Sequence, residues 1–198
     1  MEKNQINLQK LQRKLRKELD EDRYRHTLGV MYTGAALAMR YGIDLMQAQT
    51  AGLLHDCAKC IPNDKKLKLC EKYEIPISET ELAAPFLLHA KLGAYMAEEK
   101  YGISDRQILE AVRWHTTGKP DMSPLEQIIF IADYIEPMRN KASNLTLIRR
   151  VAFENMDEAC YLILRDTLTY LNKGSGRVDQ TSAQAYEFYR DKTGHTEE

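Results

Sequence analysis

Apolar residues recur at three- and four-residue intervals along nearly the whole chain, the period of a helix with one buried face. No convincing run alternates apolar and polar positions as a half-buried strand would. The pattern predicts helices near residues 4–18, 23–41, 45–58, 64–73, 87–100, 105–114, 124–139, 147–171 and 180–192. Their ends carry residues that satisfy the free backbone groups of a helix terminus. Ser78 with Glu81, Ser104 with Gln107, and Ser123 with Glu126 read as capping boxes, and Asp44 with Gln47 as a looser form. Pro124 falls at the first helical position, where a missing N–H costs nothing. Gly42 and Gly102 follow long periodic segments as stops, and Gly174-Ser175-Gly176 breaks the chain before the last helix. Ile128-Ile129-Phe130-Ile131 has the composition of a buried strand, but the cap upstream makes it a buried helix. The expected fold is all-α: a single domain over 1–198 with about eight or nine helices, a core over about 20–172, and a C-terminal helix at about 180–192 packed on it.

One tripeptide occurs twice, as Tyr41-Gly42-Ile43 and Tyr101-Gly102-Ile103. Each copy precedes a capping residue, Asp44 or Ser104, and a glutamine, Gln47 or Gln107. Each is followed at the same offset by a histidine, His55 or His115, and preceded by a long helix with a histidine near its start, His26 or His89. Two antiparallel helical hairpins result. At ~1.5 Å per residue, His26 lies ~22 Å from its turn and His55 ~17 Å along the return helix, so the imidazoles meet at the open end. The same estimate brings His89 near His115.

Composition narrows the function classes. With 198 residues, 43% hydrophobic and 29% charged, the chain is of globular type. A net charge of -1 leaves no global basic field for nucleic acid. The basic run from Lys10 to Lys17 is answered at once by Glu18, Asp20, Glu21 and Asp22, a solvated face. No segment reaches the ~18 apolar residues of a membrane span, and the N-terminus has no apolar signal region. A cytoplasmic location is therefore expected, with no membrane partner. Cys57 and Cys60 form a CxxC pair, but no second pair completes a zinc site, so the four cysteines, with Cys70 and Cys160, are expected as reduced structural thiols.

The candidate chemistry is a constellation of His26, His55, Asp56, His89, His115 and Asp133, which uses four of the five histidines. Imidazole nitrogen with carboxylate oxygen suits iron, manganese or zinc. His26, His55, Asp56 and Asp133 are expected around one divalent ion, and His89 and His115 around a second, with Asp56 shared because a carboxylate has two oxygens. Two ions ~3.5–4 Å apart can generate a bridging hydroxide and stabilise a phosphoryl group under in-line attack. Lys59, a turn beyond His55, and Arg139, two turns beyond Asp133, are candidate phosphate contacts, and Thr116, Thr117 and Gly118 can offer hydroxyls and N–H groups. Each has a plainer reading as a helix-end cation or a helix stop. Glu136 is a candidate to orient a histidine, Arg23 and Arg25 are weaker candidates for phosphate, and His195 in the tail is expected to be exposed and uninvolved.

These residues resemble the HD superfamily of metal-dependent phosphohydrolases. The matching pieces are His26, LLHDCAK from Leu53 to Lys59, His89, WHTTG from Trp114 to Gly118, and ADYIEPMR from Ala132 to Arg139. In that order they look most like the YqeK-type subfamily, over roughly residues 20–190. The resemblance implies an all-α HD-type bundle, a di-iron centre, and cleavage of a nucleotide substrate, diadenosine tetraphosphate, into two nucleoside diphosphates, with Asp56 and Lys59 in catalytic positions. The Gly-Tyr-Pro signature of cyclic-dinucleotide phosphodiesterases is absent. Other readings stay open at this point: a phosphohydrolase of another nucleotide, a di-iron oxygenase, and a non-enzymatic adaptor. A homodimer is compatible with apolar positions near both chain ends.

Overall fold

The computed structural model describes residues 6–173 and 178–196, so the Gly174-Ser175-Gly176 break lies outside the described residues. Among the described residues there are eleven α-helices and no strand: α1 (Leu8–Glu18), α2 (Glu21–Tyr41), α3 (Leu45–Leu54), α4 (Asn63–Lys72), α5 (Glu79–Ala83), α6 (His89–Glu99), α7 (Arg106–Trp114), α8 (Pro124–Ile135), α9 (Leu145–Val151), α10 (Met156–Lys173) and α11 (Gln180–Lys192). A tight 3₁₀ turn, Pro85–Leu88, leads into α6. None of these helices is long and apolar enough to cross a membrane.

The count exceeds the eight or nine expected because the 147–171 segment forms two helices and a short helix, α5, lies outside the predicted set, while the 45–58 and 124–139 segments are only shortened. The 45–58 segment leaves the α-helix at Leu54. From there the chain winds tightly, Cys57 N–H to Leu54 O, Lys59 N–H to Asp56 O and Ile61 N–H to Ala58 O. The 124–139 segment ends at Ile135 because Glu136 precedes Pro137 and takes the extended ψ of 152° that a following proline favours. The 147–171 segment breaks between α9 and α10. There the Tyr41 hydroxyl and Arg40 Nε donate to the carbonyls of Ala152 and Phe153, each at 2.8 Å. Asn155 restarts the helix by accepting the Glu158 N–H. The capping box of Ser78 and Glu81 opens the unforeseen α5.

The hairpins form as the repeat implies. Gly42 closes α2 at φ 69°, and Gly102 takes φ 72° after α6, left-handed conformations that suit glycine. α2 packs on α3, and α6 on α7. α3 lies among α1, α2, α6, α7 and α8, which accounts for its being apolar on nearly every face. Gly52 lets α2 approach: a Cβ there would stand 2.8 Å from Met31 Cα. At the closed ends the two repeat glutamines touch, Gln47 Nε2 donating to Gln107 Oε1 at 2.8 Å. Gln47 also donates to Asp105 Oδ2 at 2.8 Å. Asp105, rather than Ser104, then caps α7 through the Gln107 N–H, which corrects the expected box.

α8 packs against α2, α3 and α7 as a buried helix, with the expected box of Ser123 and Glu126 formed at its start. α10 and α11 cover α8 and each other's inner faces, where Tyr189 is fully buried and its hydroxyl accepts the Met122 N–H at 3.0 Å. A smaller apolar cluster of Ala58, Cys70, Leu88 and Leu92 supports α4 against α6. The open ends of the two hairpins therefore face each other, with the end of α8 closing one side.

Candidate metal centre

Three histidines share one local arrangement. His55 Nδ1 lies 2.8 Å from the Gly52 carbonyl, His89 Nδ1 2.6 Å from that of Phe86, and His115 Nδ1 2.7 Å from that of Val112. Each carbonyl belongs to the residue three positions back. A carbonyl only accepts, so the proton sits on Nδ1 and Nε2 presents a lone pair inward. His26 is held instead by a carboxylate, Nδ1 to Glu136 Oε1 at 3.1 Å. Glu136 is itself buried and accepts the Met138 N–H at 2.7 Å through its other oxygen.

The four Nε2 atoms converge in two pairs, His26 with His55 at 3.3 Å and His89 with His115 at 3.1 Å. The rings of His55 and His115 lie 4.9 Å apart and join the pairs. Asp56 stands between them and is only 2% exposed. Its Oδ2 is 3.4 Å from His55 and 3.8 Å from His26. Its Oδ1 is 3.1 Å from His89 and 3.6 Å from His115. Asp133 Oδ1 adds to the first pair, 2.9 Å from His26 and 3.9 Å from His55.

A cation fits this donor set. Lone pairs face carboxylate oxygens at contact distance, and Asp56 Oδ1 is buried without a hydrogen bond, an arrangement that is costly unless a positive charge lies between. Among the described residues, three groups have ligand atoms within 4.8 Å of one another: His26, His55 and Asp56; His55, His115 and Asp133; and Asp56, His89 and His115. The titration of the side chains agrees. Burial raises the Asp56 carboxyl, but the surrounding imidazoles, His55 first, outweigh it and hold it well below the usual range. Asp133 is held low in the same way, against burial, by His26, His55 and Arg139. Burial pushes His89 down to about 4, so it is the neutral imidazole that binds metals.

The remaining candidates divide. Lys59 Nζ reaches the centre, 3.1 Å from His89 Nε2 and 3.8 Å from Asp56 Oδ1. Thr116 Oγ1 lies 3.0 Å from His115 Nε2 and 3.2 Å from His89 Nε2. Arg139 grips Asp133, Nη2 to Oδ1 at 2.7 Å and Nε to the carbonyl at 2.9 Å. Gly118 does not offer its N–H, which donates to the Trp114 carbonyl at 2.9 Å and ends α7. The Thr117 hydroxyl lies over the Gly118 carbonyl at 3.0 Å. Arg23 is closer than expected, Nη1 to Asp56 Oδ2 at 2.7 Å. The signal for it was present: it sits one turn before His26 on the same helix face. Arg25 points away toward Glu21 at 3.4 Å. His195 stacks on Tyr161 and bonds Glu158 in the exposed tail packing. Sequence reading missed Gly29, where an added Cβ would collide with Glu136 Oε2; this bare position lets Glu136 reach His26. All four cysteines are free thiols, and three are buried.

The profile of the HD domain family matches residues 23–138. The chain is 36% identical over 159 residues to the symmetrical bis(5'-nucleosyl)-tetraphosphatase of Bacillus subtilis (strain 168), covering 80% of this chain and 84% of that protein. It is 40% identical over 155 residues to the protein of the same name from Halalkalibacterium halodurans, covering 78% and 82%. A crystal structure described as a predicted HD superfamily hydrolase involved in NAD metabolism, from Clostridium acetobutylicum, superposes with a TM-score of 0.90 at 34% identity over 94% of this chain and 98% of that one. The family match runs from Arg23 to Met138 and so spans all six convergent side chains, and the chain belongs to the HD domain family.

Proposed function

We propose that this protein is a metal-dependent phosphohydrolase that cleaves dinucleoside tetraphosphates, diadenosine tetraphosphate among them, symmetrically to two nucleoside diphosphates. The observation that carries the reading is Asp56, a buried carboxylate whose two oxygens each face a separate pair of histidine lone pairs. The substrate is inferred from relatives so named, 36% and 40% identical over about four fifths of the chain.

His26, His55, Asp56 and Asp133 are assigned to one divalent cation, and Asp56, His89 and His115 to the second. Iron is the metal proposed, as the family resemblance implies; nitrogen and oxygen donors admit it as they admit manganese or zinc, and the nearby Cys57 thiol is turned to the Gly93 carbonyl. Bound there, divalent cations polarise phosphoryl oxygens and supply water as a nucleophile at neutral pH. The protein's own side chains do the rest. Asp56 links the two halves of the centre. Lys59 stands beside it and neutralises charge as it builds on the phosphoryl oxygens. Arg23 and Arg139 lie on Asp56 and Asp133 and are themselves partly exposed, so their guanidinium forks can meet an arriving polyphosphate. Thr116 Oγ1 provides a hydroxyl donor at the second histidine pair. Free thiols fit a reducing, cytoplasmic setting.

The test is product analysis by anion-exchange chromatography. Protein loaded with ferrous iron under argon is incubated with diadenosine tetraphosphate beside a His55→Ala, Asp56→Ala variant. ADP as the sole product, absent with the variant, is the expected result. AMP plus ATP would overturn the position of cleavage, and no turnover would remove the substrate.

A further inference from the structure

Helix α8 ends in a turn that carries much of the first half of the centre. Asp133 lies in its last turn, Glu136 follows it against His26, and Arg139 folds back onto Asp133. The last carbonyls of a helix have no partners within it. α8 has no basic residue of its own in its last turn. Arg139 serves the Asp133 carbonyl through Nε at 2.9 Å and the Glu136 carbonyl through its N–H at 3.0 Å, and a further partner comes from α9. Arg149 Nε donates to the Ile135 carbonyl at 2.9 Å, and its Nη2 donates to the carbonyls of Glu136 at 3.0 Å and Arg139 at 2.8 Å. One half-buried guanidinium thus gathers three carbonyls spanning residues 135–139. α9 is anchored for the task by Leu145, Ile148 and Val151, which are buried where it packs on α8 and α10.

We propose that Arg149 is a positioning residue for this centre. It is held by the α8 end rather than by any of the six convergent side chains. Its planar fork sets the turn, the turn sets where the Glu136 carboxylate meets His26, and it sets where Arg139 meets Asp133. A lysine cannot substitute, because a single ammonium lacks the two separated nitrogens by which Nε meets Ile135 and Nη2 meets Glu136 and Arg139. The other histidine pair, His89 with His115, hangs on α6 and α7 and their own Phe86 and Val112 carbonyls. The effect of Arg149 is therefore confined to the half built by His26 and Asp133.

The inference rests on the metal-centre reading, and its test needs no substrate. Manganese is titrated into the metal-stripped full chain, with free ion followed by electron paramagnetic resonance, for wild type, Arg149→Ala and Arg149→Lys. The melting temperature of each metal-free protein is recorded alongside. The expected result is two binding steps in wild type and a selective loss in both variants. One step weakens by about tenfold or more, the scale for losing an outer partner of a ligand, and the other stays within about twofold. Millimolar guanidinium restores the weakened step in Arg149→Ala, whereas methylammonium does not. Unchanged binding in folded Arg149→Ala overturns the proposal while leaving the centre intact. Parallel loss of both steps in proportion to a fall in melting temperature, in both variants and without guanidinium rescue, overturns it in favour of a general role in folding. A wild-type chain that binds no ion overturns the centre and the role together.

Discussion

Gly29→Ala tests whether Glu136 acts on the centre through His26. The added methyl would collide with Glu136 Oε2, and it would stand 3.1 Å from Cδ and 3.5 Å from Cβ of the same side chain. All three atoms belong to one flexible side chain, so the helices stay in place and the carboxylate turns away. It then leaves the 3.1 Å contact with His26 Nδ1 and the 2.7 Å bond from the Met138 N–H. A hydrogen bond to a charged group is worth about 1.5–3 kcal/mol. Replacing glycine inside a helix returns up to about 1 kcal/mol. With two such bonds lost, the metal-free fold should therefore lose about 2–5 kcal/mol. Losing an outer partner of a metal-binding histidine typically weakens the metal about 10–100-fold. Manganese titration of Gly29→Ala, Glu136→Ala and the double variant measures this, with urea unfolding of the metal-free forms as the stability assay. If Gly29 acts only by leaving room for Glu136, the double variant binds no more weakly than Glu136→Ala alone. Additive losses, or wild-type affinity in Gly29→Ala, would refute the reasoning.

Asp56→Asn keeps the shape of the shared carboxylate and removes its charge; metal content by mass spectrometry should fall from two ions per chain to one or none, with hydrolysis lost, and retention of both ions would contradict a shared carboxylate. Acidification should destabilise the metal-free protein. His89 titrates at about 4 in the fold and at ~6.5 when unfolded, so between those values the unfolded chain binds the extra proton. Stability then falls as pH drops from 6.5 to 4, by about 3 kcal/mol from this group, and thermal melts of His89→Gln should show a flatter slope over that window. Gly52→Ala places a methyl 2.8 Å from Met31 Cα, backbone against which no side chain can yield. Forcing α2 and α3 apart costs about 1–3 kcal/mol, and a melting temperature equal to wild type would show that the helices slide apart freely.

Helix type and much of the centre were legible in the residues, because both rest on local spacing. A period near 3.6 sets which faces are apolar, and the repeated Tyr-Gly-Ile stop with its caps sets two equal hairpins, so the matched histidines arrive at one end by counting. Glu136 before Pro137 also marked the true end of α8, a local rule that the periodic pattern obscured. Other features have no local signal. Asp105 outcompetes Ser104 as a cap because Gln47, 58 residues away, bonds the same carboxylate. The 147–171 segment breaks because Arg40 and Tyr41, on another helix, take its carbonyls. Gly118 reads as a phosphate donor until the structure shows its N–H closing α7. Gly29 matters only through the carboxylate it leaves room for, and Arg149 only through three carbonyls of a turn it is not part of. The sequence alone determined which residues face inward and at what height, since those follow from helical geometry over a few turns. The tertiary structure decided which oxygen of Asp56 faces which histidine pair, and what holds each ring, because such partners are chosen by packing between helices distant along the chain.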